Sequence, residues 1–319
     1  MMFGKTMANA RLRGVLPVAG AIAVAVLLPM GWGYSTYALD LATVALIYAM
    51  FTVSWDLFCG ATGELSFGHT FFVGTAAYAT ALLESRLGCP PVAAVLSGAL
   101  VGGLAGTLVG VLTLRHSGAV FTLVTMALQL SFHRTLFLWS NVFGGGEGVF
   151  IGTSWVNGAF QRYAVVAILS IASLGVAVLV RETSFGRRLR ASGGDVRIGL
   201  ACGVRVPLVR TAGATLSGLI AGLGGSALAM QSMVANPELA SDTTSGLIFL
   251  LAMVGGFGSL IGPWLAAVIY LTVVHEGLVS LGSAQPMVAF GLLFLAIWAM
   301  PEGVTGVFSR WARRWKWAT

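Results

Sequence analysis

The fold this sequence predicts is all-α: a polytopic transmembrane helical bundle of about ten spans (roughly 8 to 10), with one or more broken helices and both termini cytoplasmic. Three observations predict it. Of the 319 residues, 57% are hydrophobic and 9% charged, which is too little polar surface to coat a water-soluble globule of this size. Apolar stretches of about 20 residues, enough to cross about 30 Å of hydrocarbon as helices, recur from Val15 to Met300 with short polar gaps. Finally, with the N-terminus inside, only Arg86, Arg134 and Arg162 of the 18 Lys and Arg residues fall on the outer side. The whole chain, 1–319, reads as a single transmembrane domain with a cytoplasmic loop at 181–210 and a basic cytoplasmic tail at 301–319.

The first span is expected at 15–33. Lys5, Arg11 and Arg13 ahead of this apolar run would also suit a signal peptide, but no small-x-small cleavage site closes it, so a retained helix is expected. Further spans are expected at 38–57, 67–84, 91–114, 118–138, 162–180, 208–231, 244–258, 261–278 and 284–300. In the fourth, Gly98, Gly102, Gly106 and Gly110 recur every four residues, laying along one helix face a groove free of side chains where a neighbouring helix can pack closely. Gly218 and Gly222, then Gly258 and Gly262, repeat the device. Residues 245–274 would form one long helix or two short ones. Gly255, Gly256, Gly258 and Pro263 favour a break, which also returns the basic tail to the cytoplasm, and short helices meeting at glycines suit a transport path.

The one sizeable polar segment, 181–210, carries Arg181, Arg187, Arg188, Arg190, Arg197, Arg205 and Arg210. Thr183 or Ser184 can cap a short helix there, Gly193 and Gly194 break it, and a second helix can run to Gly203 before Pro207. Seven arginines would serve to anchor the loop at anionic lipid. Phe185, Leu189, Ile198, Leu200 and Val204 interleaved among them point instead to a surface held against a soluble partner.

The net charge of +7 follows from cytoplasmic Lys and Arg and does not indicate nucleic acid. Gly4-Lys5-Thr6 lacks the glycines of a phosphate-binding loop, so no nucleotide site is expected in this chain. The three cysteines and four histidines are scattered; no catalytic set and no metal site is expected. Asp56 and Glu84 lie near span ends, where solvation would make their charges cheap. In "GELSFGHT", Ser66 stands where it could cap the third span and His69 where it could tie that span's first turn to a neighbouring helix. Thr125, Gln129 and His133 share one face of the fifth span, either lining a path or hydrogen-bonding between helices. Ser66, His69, Thr125, Gln129, His133, Gly255, Gly256 and Gly258 are thus the candidates to line a transport path.

Four stretches together resemble the M-type membrane permease subunits of ATP-binding-cassette importers for branched-chain amino acids, with their urea and amide relatives. They are "GELSFGHTFFVGTAAY", "FTLVTMAL" with "FGGGEGVFIG", "SFGRRLRA…ACGV" and "MVGGFGSLIGPWLAA", in this order over about 38–300. The resemblance implies an inner-membrane importer in which Phe185, Gly186, Arg187, Leu189, Arg190, Ala201 and Gly203 couple to two ATPase subunits. ATP and Mg would reside on those subunits, with no cofactor in this chain. It also implies a second, related permease subunit and a periplasmic substrate-binding protein, with the lipid membrane as surroundings. Residues 192–196, Ser-Gly-Gly-Asp-Val, depart from the family's usual Ile-Arg-[Asp/Glu]-Asn-Glu continuation of the coupling segment. The alternatives are a urea or amide permease of the same family and an ion-coupled secondary transporter using Glu64, His69 or His133 to carry protons.

Overall fold

The structure, a computed structural model, describes residues 18–27, 35–114, 116–152, 156–193 and 205–306. Its helices are α1 (Val18–Leu27), α2 (Thr36–Thr62), α3 (Thr70–Leu87), α4 (Pro91–Leu112), α5 (Ala119–Leu138) and α6 (Ser140–Phe143). They continue with α7 (Ala159–Glu182), α8 (Ser184–Gly193), α9 (Val206–Ser232), α10 (Asp242–Gly255), α11 (Ile261–Ile269) and α12 (Gln285–Ala299). Two short strands, β1 (Val149–Phe150) and β2 (Val234–Ala235), pair antiparallel, Val149 opposite Ala235. Six helical stretches among the described residues are long and apolar enough to cross a membrane by length and composition: α2, α4, α5, α7, α9 and Val279–Gly306, which contains α12. Three more apolar helices, Val18–Leu27, Asp242–Gly255 and Ile261–His275, are shorter.

The predicted boundaries shift where the backbone leaves the α-helical path. The third helix begins at Thr70 instead of 67, because residues 63–69 are not helical. The segment 245–274 is broken, with α10 ending at Gly255 and α11 beginning at Ile261. Pro263 falls in the first turn of α11, where a missing N–H costs nothing. The span expected over 261–278 is α-helical to Ile269 and continues as a π-helical turn, Tyr270–His275.

The bundle is built around α2. Ser35 caps it by accepting the Ala38 amide at 3.2 Å, and Gly63, with φ 73°, ends it. Its sequence is apolar on every face, as a helix surrounded by others must be, and from Ala45 to Cys59 it is almost wholly enclosed. α7, α9 and α11 pack on it. Hydroxyl bonds tie it to its neighbours: Ser217 of α9 donates to the Ser54 carbonyl at 2.6 Å, and Thr52 donates to the Pro263 carbonyl at 3.1 Å. Trp264 donates to Ser170 of α7, which in turn donates to the Leu46 carbonyl, so one chain of bonds ties α11 and α7 to α2.

The closest helix pair is α4 with α9. A Cβ on Gly102 would come within 2.7 Å of the Gly222 Cα, one on Gly110 within 2.7 Å of the Thr211 Cα, and one on Gly106 would run into the Ala214 carbonyl oxygen. Gly98 faces the Thr80 and Ser226 hydroxyls, which bond to each other at 2.8 Å. The glycines of the two helices therefore interlock backbone to backbone, a contact that any side chain would hold apart. Gly106→Val is expected to cost about 3 kcal/mol or more through this overpacking. Gly175→Ala in α7, where an added Cβ meets nothing within 4 Å, should change stability by less than about 1 kcal/mol. Thermal unfolding of the purified protein in detergent measures both.

Candidate functional site

After Gly63 the chain does not leave the bundle but runs back along α2. Trp55 Nε1 donates to the Ser66 carbonyl at 2.8 Å, and the Ser54 hydroxyl lies 2.7 Å from His69 Nε2. Ser54 is eight residues before the end of α2, about 12 Å back along its axis, so α3 starts deep in the bundle. Non-helical backbone at such depth is tolerated only where protein satisfies it or a cavity receives it. Here protein does: Thr122 Oγ1 donates to the Leu65 carbonyl at 2.8 Å, and Ser245 Oγ donates to the Phe67 carbonyl. Gly68 has no side chain because the α5 backbone at Thr125 passes through the space a Cβ would need.

The expected tie from His69 to a neighbouring helix is therefore the bond to Ser54. The expected cap by Ser66 is not formed. With helix residues beginning at Thr70, the capping position is His69, and Ser66 lies three residues too early to reach the first free amides. The Ser66 hydroxyl is buried without a partner.

A second interrupted element meets the first. After β2, a 3₁₀ turn at Pro237–Ala240 enters the bundle and α10 begins at Asp242, capped by Ser241 Oγ on the Thr244 amide at 3.2 Å. Thr70 Oγ1 donates to the Ser241 carbonyl at 3.1 Å, and Gln129 Nε2 donates to the Ala240 carbonyl. The starts of α3 and α10 thus lie side by side against α5. Of the three polar residues on the α5 face, Gln129 is the one that reaches across, and its Oε1 is buried without a partner. Thr125 is buried and bonds back to Thr122 at 2.9 Å, while His133 is half-buried with its ring against Phe137.

The break between α10 and α11 is held by a carboxylate. Asp56, 1% exposed, accepts the Gly258 amide at 2.6 Å and the Leu260 amide at 2.7 Å. Gly256 and Gly258 take positive φ (112° and 77°), and so does Leu260 (φ 63°), a conformation that costs a residue with a Cβ on the order of 1 kcal/mol. Thr305 Oγ1 donates to the Gly255 carbonyl at 3.1 Å. The expectation that Asp56 and Glu84 are solvated is overturned: both are buried, and Glu84 accepts the Gly152 amide at 3.1 Å. Each is in a helix, but each faces a place where another segment is not helical and needs an acceptor.

At the end of the bundle reached by α7, the short helix α8 lies across the ends of α2, α7 and α9. Thr183 Oγ1 accepts the Gly186 amide at 3.3 Å and starts it. Gly186, Leu189 and Ser192 are buried while Arg187, Arg188 and Arg190 are exposed. Arg187 and Arg190 donate to the Glu182 and Arg181 carbonyls at the end of α7, at 2.8 and 2.9 Å. Gly193 sits against the backbone of Thr62, with no room for a Cβ. Ala201 and Gly203, expected in the same segment, lie outside the described residues, as do Cys202, residues 307–319 of the basic tail and the Gly4-Lys5-Thr6 run.

Beneath α8 is a buried ion pair that sequence reasoning missed. Arg210, in the first turns of α9, places one guanidinium nitrogen 3.1 Å from Glu64 Oε1 and donates from the other to the Ser192 carbonyl at 2.7 Å. Glu64 Oε2 accepts the Gly118 amide at 2.6 Å. The sequence counted Arg210 among the charges that orient the chain; nothing in the spacing connects it to Glu64. Among the described residues no group of three or more His, Cys, Asp or Glu side chains is placed to hold a metal ion.

Residues 37–298 match the family described as branched-chain amino acid transport system / permease component. The probable ABC transporter permease protein YphD of Escherichia coli (strain K12) is 34% identical over 170 residues, 48% of this chain and 50% of its own length. The chain thus spans half the length of that relative. The high-affinity branched-chain amino acid transport system permease protein LivM of Salmonella typhimurium is 24% identical over 301 residues, 84% of this chain and 69% of its own. The ribose import permease protein RbsC of Bacillus subtilis is 26% identical over 258 residues, 73% of this chain and 79% of its own. No solved structure matches the chain.

Asp56→Ala leaves two buried amides without an acceptor and is expected to cost about 2 to 5 kcal/mol. Asp56→Asn, which keeps one oxygen, should lose less. Detergent thermal unfolding separates the two, and equal stability of all three proteins would show that Asp56 does not hold the break.

Proposed function

The chain belongs to the branched-chain amino acid transport system / permease component family, and on that premise we propose that it is the membrane-spanning permease subunit of an ATP-driven importer of small amino acids, branched-chain ones foremost. It is a transport component and not an enzyme; hydrolysis falls to two ATP-binding-cassette subunits on the cytoplasmic side. A second, related permease subunit and a periplasmic binding protein complete the assembly in a bacterial inner membrane. Counting α1, α3, α10 and α11 with the six long helices gives ten membrane segments, and the distribution of Lys and Arg supports cytoplasmic termini.

The observation that carries this reading is α8. It is anchored through Gly186, Leu189 and Ser192 and presents Arg187, Arg188 and Arg190, with the half-exposed Phe185, outward. A helix that served only to sit on lipid would not need its inner face fitted to three other helices. Leu189 is 1% exposed, beside Gly213 and Phe58. It therefore fixes α8 to its own chain, and Phe185 is the apolar residue left for an ATPase groove. The arginines suit acidic residues around such a groove.

The meeting point of the α3 and α10 starts with Gln129 is the proposed substrate path, bordered by Ser66, His69 and Thr125, with the break at Gly255, Gly256 and Gly258 as its moving part. Relatives named for branched-chain amino acids and for ribose leave a sugar as the second substrate reading. Stimulation of the reconstituted complex's ATPase by a panel of ligand-loaded binding proteins decides between them. Replacing Gly186 and Arg190 together by Ala should leave the complex in the membrane yet lower uptake per ATP by about tenfold. An unchanged ratio would remove α8 from coupling.

A further inference from the structure

Four separate pieces of backbone converge on the Glu64–Arg210 pair: the end of α8 through the Ser192 carbonyl, the start of α9 through Arg210 itself, the re-entrant segment through Glu64, and the loop before α5 through the Gly118 amide. Both side chains are nearly enclosed, 11% and 7% exposed for Arg210 and Glu64. We propose that this pair is a positioning relay that carries the displacement of α8 to the starts of α3 and α5, and so to the transport path. The proposal rests on the reading of α8 as the ATPase contact.

The geometry favours a relay over a simple internal clamp. A guanidinium is a planar fork that can hold two acceptors at once in fixed directions. Here one prong holds a carbonyl of α8 and the other holds Glu64. The carboxylate does the same on its side, with one oxygen to Arg210 and the other to the Gly118 amide. A shift of Ser192 is therefore passed on without a flexible joint. Two residues beyond Glu64 the chain is bonded to Trp55, and five beyond it to Ser54. Leu65 is bonded to Thr122 in the first turn of α5. The segment that receives the pull is thus the one whose far end begins α3, beside Ser241 and Gln129.

Stability alone is a weak reason for such a pair. Desolvating two charges costs about as much as their attraction returns, and apolar residues of similar volume often serve as well. Removing one partner is different, because it strands a buried charge. The test must therefore keep the charges balanced. Arg210→Lys retains the positive charge opposite Glu64 but offers a compact ammonium in place of the fork, so that Glu64 and Ser192 are no longer held together. The double variant Glu64→Gln/Arg210→Gln removes both charges and leaves no stranded ion.

Both variants are made in the complete transporter, reconstituted with its ATPase subunits and binding protein, and ATP hydrolysis and substrate uptake are measured on the same vesicles. The expected result is assembly, hydrolysis within about twofold of the unmodified complex, and about a tenfold fall in uptake per ATP with little change in KM. Uptake per ATP within about twofold of the unmodified complex in both variants overturns the relay while leaving the importer reading intact. Failure of both variants to assemble assigns the pair to stability and also overturns it. Absence of ATP-dependent uptake in the unmodified complex overturns the importer reading and the relay together.

Discussion

Two stretches of non-helical backbone, residues 63–69 and 256–260, lie inside an apolar bundle, and the arrangement of the rest follows from the need to satisfy their amides and carbonyls. An unsatisfied buried peptide group costs about 1 to 3 kcal/mol, so a handful of them would consume most of a domain's stability. The partners come from distant parts of the chain. Asp56 serves the second break; Trp55, Thr122 and Ser245 serve the first. Each of these partners thereby fixes one helix against another, and satisfying the interruptions sets helix positions that apolar packing alone would leave loose.

That requirement explains the place of α2. It borders both interruptions, and residues 54, 55 and 56 bond in turn to His69, to the Ser66 carbonyl and to the Gly258 and Leu260 amides. Three adjacent residues point in three directions at about 100° per residue, so a single turn of helix addresses both breaks. A helix with this duty cannot face lipid. The interlocked glycines of α4 and α9, with α3 packed on both, form a tight group on one side, and α7 with α11 completes the enclosure. By contrast α5 and α12 are mostly exposed in this chain. The polar face of α5 therefore has part of its surroundings supplied by α3 and the 237–241 turn, and the remainder open to lipid or to another subunit.

Under α8 the linking groups are a pair of opposite charges, Glu64 and Arg210, set where the chain passes between α8, the re-entrant segment and α5. Hydrogen bonds to charged groups are stronger than neutral ones, and the two-pronged guanidinium fixes the directions of both its acceptors. The bonds at Ser54, Ser217 and Thr52 are between neutral groups.

The class of fold, the order of the helices, most of their ends and the break at 255–260 were legible in the sequence. They depend on local composition: apolar length, glycine spacing, and where Lys and Arg fall. The four-residue glycine period in α4 was legible too, because helix geometry puts every fourth residue on one face. The start of α3 at Thr70 was not, since the apolar stretch expected as a span begins at 67, whereas residues 67–69 are held out of the helix by Ser245 on the Phe67 carbonyl and by the Ser54–His69 bond. Nor was the burial of Asp56, Glu64, Glu84 and Arg210. Position near a span's end suggests solvent, and only the tertiary structure decides whether a re-entrant segment, a glycine break or a second charge has taken the water's place. A sequence fixes what each segment requires, whereas the partner that meets the requirement is chosen by three-dimensional proximity between residues far apart in the chain.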